Sequence, residues 1–200
     1  MPLQILRYPH PALRRPAKPV AAEQRPGLPA SDLCKALKEL NAVGLAANQV
    51  DDPRAFCVVA FPEHEPFLMV NPVIVEKSKE EGFEDEGCLS LPGVTVAVSR
   101  SLEVTVEYVN AEGIPLRERF TGLAARICQH EIDHLRGALI LDYLSPIKRA
   151  KLKAYIGKAV RMERANVKAI AQGVGRLSAH AVDMQAAMSR RQIEKLMAKP

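Results

Sequence analysis

The sequence predicts an α+β fold, and three observations carry that expectation. Residues 102–109 (LEVTVEYV) and 114–120 (IPLRERF) alternate apolar and polar side chains, and the turn NAEG between them makes an antiparallel hairpin the simplest reading. Residues 54–60 (RAFCVVA) and 67–75 (FLMVNPVIV) are short apolar runs that read as further strands. Residues 122–136 form a helical segment set among them. Antiparallel strands grouped around a helix, without regular strand–helix alternation, mark α+β. At 200 residues, 48% hydrophobic and 26% charged, the chain is one domain, or one domain with an appendage. Such a chain buries roughly 70% of its unfolded surface and needs no staples to fold.

Taken in order, the elements are justified as follows. Proline crowds the first thirty residues (Pro2, Pro9, Pro11, Pro16, Pro19, Pro26, Pro29), which predicts extended chain and turns. A first helix is expected over 31–43, capped by Ser31 or Asp32, with Leu33, Ala36, Leu37, Leu40 and Val43 on one face. Gly44 then suits the position just past its end. Pro72 pushes the strand over 67–75 to an edge or a bulge. Thr121 can cap the helix over 122–136, and Gly137 closes it. Residues 139–144 (LILDYL) read as one more strand. Ser145-Pro146 opens a basic helix, interrupted near Gly173 and Gly175, and a last helix is expected over 178–198.

Composition narrows the function classes. No apolar run approaches the roughly 18 residues of a membrane span, and residues 1–20 lack the apolar core of a signal peptide. A cytoplasmic protein without membrane attachment is expected. Four cysteines do not make a disulfide scaffold in a chain this long, so a special cysteine reads as ligand or nucleophile. The net charge of +5 is uneven: residues 145–200 carry 13 basic and 3 acidic side chains, while the remainder is slightly acidic. A basic tail on an acidic body points to a polyanionic partner. With no Trp and few aromatic residues, base stacking has little to work with.

The chemistry concentrates in His130-Glu131-Ile132-Asp133-His134, an H-E-x-x-H on the helix over 122–136. Residues four apart share a helix face, so two imidazoles reach one metal while Glu131 stands beside it to handle a proton. A catalytic site of this kind needs a third protein ligand and an open position. Two residues compete for that place: Cys88, after a glycine in the turn-like stretch EGCLSLPG, and Glu163 downstream among basic residues. Cys88 is the better candidate, because Glu163 sits in a stretch whose simpler role is solvated surface. Arg126 precedes His130 by four residues and shares its face, where it borders the site or pairs with an acid. Asp133 faces away from His134 and reads as structural support for the site. Cys34, Cys57 and Cys128 carry no signal beyond core filling.

With Cys88 as ligand, the sequence resembles the peptide deformylase family over residues 3 to 150. Three motifs match in order: Gly44-Leu45-Ala46-Ala47-Asn48-Gln49, EGCLS at 86–90 and QHEIDHL at 129–135. The resemblance implies a deformylase-like arrangement of antiparallel and mixed sheets around a central H-E-x-x-H helix. It divides the chain into a metal-dependent catalytic domain, 1–150, and a basic helical extension, 151–200. The implied ligands are Cys88, His130 and His134, holding one divalent ion. Fe(2+) is the family's usual metal, with Zn(2+), Ni(2+) or Co(2+) able to replace it; spacing alone would have favoured zinc.

The resemblance also implies roles. Glu131 is the general acid/base, and Gln49 with the backbone N–H of Leu89 stabilises the oxyanion. Backbone beside Gly44 and Gly87 pairs with an extended substrate, and Val43, Leu123 and Ile127 match positions of the methionine pocket, although each could equally be ordinary core. The substrate is an N-formylmethionyl nascent peptide, and the products are formate and a free N-terminal methionine. The basic tail then suggests docking to ribosomal RNA. Two departures stand out: Ala42 replaces the first glycine of the family's first motif, and Asn48 occupies the place of a proline or small residue. A peptidase using Glu163 and a non-catalytic ribosome- or RNA-binding relative are the competing readings.

Overall fold

Five antiparallel strands form the main sheet, in the order β1 (Gly44–Ala46), β2 (Phe56–Val59), β3 (Phe67–Lys77), β6 (Glu103–Val109) and β7 (Pro115–Thr121). A separate hairpin pairs β4 (Glu81–Gly87) with β5 (Thr95–Ser101), from Glu81 opposite Ser101 to Gly87 opposite Thr95. Among the described residues, three α-helices complete the fold: α1 (Ala30–Leu40), α2 (Gly122–Leu135) and α3 (Pro146–Ala171). The computed structural model describes residues 3–61 and 64–171. Among these, no helix is long and apolar enough to cross a membrane. The basic helix expected from Ser145-Pro146 is α3; its interruption near Gly173 and Gly175 and the helix expected over 178–198 lie outside the described residues.

The alternation read in the sequence is what buries one face of β6, with Val104, Val106 and Tyr108 inward. Strand β2 is buried along its whole length, as a run without polar alternation requires. Helix α2 touches β1, β2, β3, β5, β6 and β7. It is therefore buried on most of its circumference, and even Arg126, Gln129, Glu131 and His134 are enclosed. A second apolar cluster joins Val96 and Val98 of β5 to Leu91, Val94, Ile140, Leu141, Leu144 and Leu152. Each fully buried side chain of this size contributes about 1.5–3 kcal/mol. Leu152 brings the start of α3 onto the body, so the boundary expected after residue 150 falls inside a continuous helix.

The structure corrects several local expectations. Helix α1 ends at Leu40, with Asn41 in the left-handed conformation, and neither Ser31 nor Asp32 caps it: Pro29 holds the N-cap position without a side-chain bond. Gly44 consequently opens β1 and does not terminate the helix. Pro72 does mark a bulge, but in the central strand of the sheet. There Asn71, at φ 52, turns its side chain to Val20, accepting from its N–H at 2.7 Å and donating to its carbonyl at 2.9 Å. Those bonds tie the bulge, where Pro72 has no N–H to donate, to the N-terminal segment. Residues Ile140–Tyr143 form a 3-10 turn where a strand is expected; Asp142 stabilises it by accepting the Leu139 N–H at 2.9 Å. The Thr121 side chain makes no capping bond. Gly137 closes α2 as expected: it sits at φ 77, and a Cβ there would lie 2.6 Å from the Arg14 carbonyl oxygen.

Candidate metal centre and substrate cleft

Helix α2 supplies two imidazoles one turn apart, their ring centres 5.0 Å from each other. The β4–β5 hairpin supplies the third group. Cys88 follows the last residue of β4, in a turn closed by the Leu91 N–H donating to the Cys88 carbonyl at 2.9 Å. Its Sγ stands 3.2 Å from His134 Nε2. The ligand atoms of Cys88, His130 and His134 all lie within 4.8 Å of one another. A tetrahedral ion bound at ordinary metal–sulfur and metal–nitrogen lengths separates its ligands by roughly 3.5 Å. A soft thiol and two imidazoles at this spacing fit a late first-row divalent metal. Of the two residues competing as third ligand, Cys88 is therefore the one the fold brings to both histidines; the Glu163 side chain lies outside the described residues.

His130 is oriented by a buried charge network centred on Glu86 and Arg100, two residues to which sequence reasoning assigns no role. Glu86, on β4, accepts from His130 Nδ1 at 2.9 Å, twice from Arg100 at 2.9 and 3.0 Å, and from Arg126 at 2.8 Å. Burial alone would raise its carboxyl pKa, but His130 and Arg100 reverse that and hold it down at about 2. On His130, burial opposes the charged ring, yet the bonds to Cys88 and Glu86 lift it to about 10. Arg100 also pairs with Asp133 and lies over the Tyr143 ring, 4.6 Å from its centre. Asp133 thus supports the site through Arg100. Removing one partner of a buried network like this costs about 3–5 kcal/mol, because a charge is left uncompensated. A signal for Arg100 was present: β5 alternates, and Arg100 falls on the same face as Val96 and Val98.

Glu131 is enclosed beside the ligands, and burial is the main reason its carboxyl pKa is raised to about 7. It packs directly against β1, where a Cβ on Gly44 would lie 2.2 Å from Oε1. Glycine at 44 is required by that approach. Gly44→Ala is expected to cost about 1–3 kcal/mol through overpacking and to lower turnover by displacing Glu131. A thermal melt and kcat on one preparation check both effects. Gln49 sits in the 3-10 turn Ala47–Val50. Its Oε1 accepts the Ala46 N–H at 2.9 Å, and its Nε2 donates to Ser90 Oγ at 3.1 Å while lying 3.8 Å from Cys88 Sγ. The N-terminal segment ties both loops together, with Leu6 N–H donating to the Gln49 carbonyl and Tyr8 N–H to that of Ser90.

These groups open onto a cleft of about 470 Å³. Val43, Gly44 and Gln49 line one wall, Gly87, Cys88 and Leu89 another, and Leu123, Arg126, Ile127, His130 and Glu131 the α2 side. Val43 and Leu123 are half-exposed, and Ile127 is buried at the cleft's edge. Arg126 both borders the cleft and pairs with Glu86. Leu40, Asn41, Ala42, Asp85, Glu86 and Pro92 complete the lining; among them the sequence singles out Ala42, as a departure from the family's first motif, and assigns Asn41, Asp85 and Pro92 no role. No periodic signal marks Asp85, because its strand exposes most of its side chains.

A thiol and two imidazoles closing on one point, with an enclosed carboxylate and a side-chain amide beside them, define a metal-dependent hydrolase. Residues 2–150 match the family model described as polypeptide deformylase. A peptide deformylase 2 of Xanthomonas campestris is 40% identical over 162 residues, covering 78% of this chain and 95% of that protein. The crystal structure of a peptide deformylase from Legionella pneumophila superposes with a TM-score of 0.71 at 36% identity, covering 80% of this chain and 96% of that one. A Met-Ala-Ser-bound class I type b peptide deformylase from Acinetobacter baumannii gives 0.66 at 33% identity, covering 72% and 99%. The chain belongs to the polypeptide deformylase family, and its activity is peptide deformylation.

Proposed function

We propose that this enzyme removes the formyl group from N-formylmethionyl nascent chains, with Cys88, His130 and His134 holding a ferrous ion. The observation that carries the mechanism is the enclosed Glu131 carboxyl, fixed against Gly44 beside the three ligands. A bound divalent ion supplies Lewis acidity and water activated near neutral pH. Glu131 accepts a proton from the attacking water and returns it to the departing amine as the formyl C–N bond breaks, so that formate and a free N-terminus leave. Charge develops on the formyl oxygen. One Gln49 N–H is held by Ser90 and the other faces Cys88 Sγ at 3.8 Å, on the ligand side, where it meets that charge together with the Leu89 backbone N–H. A preorganised donor of this kind is worth about 3 kcal/mol.

The peptide runs extended between the Gly44 and Gly87 backbones, as in strand addition, with its methionine side chain among Val43, Leu123 and Ile127. The Met-Ala-Ser ligand of the Acinetobacter relative supports a substrate beginning with methionine. The enzyme works in the cytoplasm, where nascent chains emerge, and the basic segment from 151 onward docks it to ribosomal RNA through phosphate contacts. Formate release from a short formyl-Met peptide, with metal analysis of anaerobically purified protein, is the direct test. Formate and about one iron per chain are expected. Loss of activity in air and protection by nickel exchange should accompany them; an air-stable, fully active zinc enzyme would exclude the ferrous assignment.

A further inference from the structure

Asn48 lies in the turn that carries Gln49 and is buried. Its Nδ2 donates to the backbone carbonyl of His134. The same two residues each hold a buried polar atom without a hydrogen-bond partner: Asn48 Oδ1 and His134 Nδ1. His134 presents Nε2 to Cys88, so Nε2 is its ligating nitrogen and Nδ1 carries the ring proton. A ligating imidazole needs an acceptor for that proton to fix its tautomer and ring orientation. His130 has one in Glu86, at 2.9 Å. His134 has none assigned, and Asn48 Oδ1 is an acceptor without a donor on a residue already bonded to His134.

We propose that Asn48 is the positioning residue of the His134 ligand. Its amide nitrogen holds the His134 backbone, and its amide oxygen accepts the His134 Nδ1 proton across one buried water, since neither atom has a direct partner. One side chain thereby fixes both ends of the ligand, which neither an alanine nor a proline at this position can do. The inference rests on the Cys88, His130 and His134 ligand set.

The test uses the full chain, labelled with 15N-histidine and titrated with zinc. In the parent protein, the His134 Nδ1 proton should be visible and protected from exchange. Asn48→Ala should weaken zinc binding about 10- to 100-fold. It should also shift or expose the His134 proton while leaving the His130 proton on Glu86 unmoved, a split that general loosening of the fold would not produce. Zinc affinity within twofold of the parent, or an unmoved His134 proton, overturns the inference. If Asn48→Ala does not fold, the parent spectrum decides: a His134 Nδ1 proton exchanging freely with solvent is equally fatal. A parent protein that takes up no zinc removes the ligand set itself, and this inference with it.

Discussion

Glu131→Gln is expected to lose nearly all turnover, about 10²- to 10⁴-fold in kcat, while keeping its fold and its metal. The substitution preserves the shape that Gly44 accommodates, since amide and carboxylate occupy the same volume. It removes only the ability to accept a proton. Burial already disfavours the charged form of Glu131 and raises its carboxyl pKa to about 7, so a neutral amide costs the folded state nothing and should leave the melting temperature level or higher. Steady-state formate release and metal content, measured on one preparation, separate chemistry from binding. A Glu131→Gln enzyme that kept parental kcat under saturating metal would remove Glu131 from the proton-transfer role.

The legible parts of this molecule are those whose burial is periodic. Strand β6 alternates because one face meets α2 and the other does not, and α2 declares its site through two histidines one turn apart. Strand β4 was illegible for the opposite reason. It forms a hairpin whose side chains are mostly exposed, and its single buried residue, Glu86, is an acid. No hydrophobic pattern can announce such a strand, although it carries Cys88 into place and orients His130. The apolar run at 139–144 misleads because a short run without polar alternation fits a strand and a buried 3-10 turn alike. Gly44 shows a subtler limit. Its place after α1 suits a helix terminator, but its actual constraint is a carboxyl group 87 residues later. Spacing likewise left Cys88 and Glu163 both open as third ligand, because only tertiary structure says which loop returns to the histidines.

Cys88→Ala should cost metal occupancy as well as rate, which sets it apart from every other cysteine in the chain. Cys57 and Cys128 are buried in the main core, and burial pushes both thiols up, Cys128 to about 12. They therefore stay neutral and contribute packing alone. Cys34 is half-buried, with its sulfur on the Pro66 carbonyl. Cys88 alone meets His134 Nε2 at 3.2 Å and faces Gln49 Nε2 at 3.8 Å. Removing its sulfur leaves two imidazoles, one ligand short of the three that a catalytic site of this type requires. Serine restores an oxygen but not the soft donor that a late first-row metal prefers, so Cys88→Ser should fail almost as completely. Dialysis against a weak chelator followed by metal analysis should find the parent near one ion per chain and both Cys88 variants nearly empty. Cys57→Ala and Cys128→Ala should keep their metal and lose only stability, about 1–3 kcal/mol each. A Cys88→Ala protein that retained one tightly bound ion and still released formate would sink the ligand set and, with it, the division of labour between metal and Glu131.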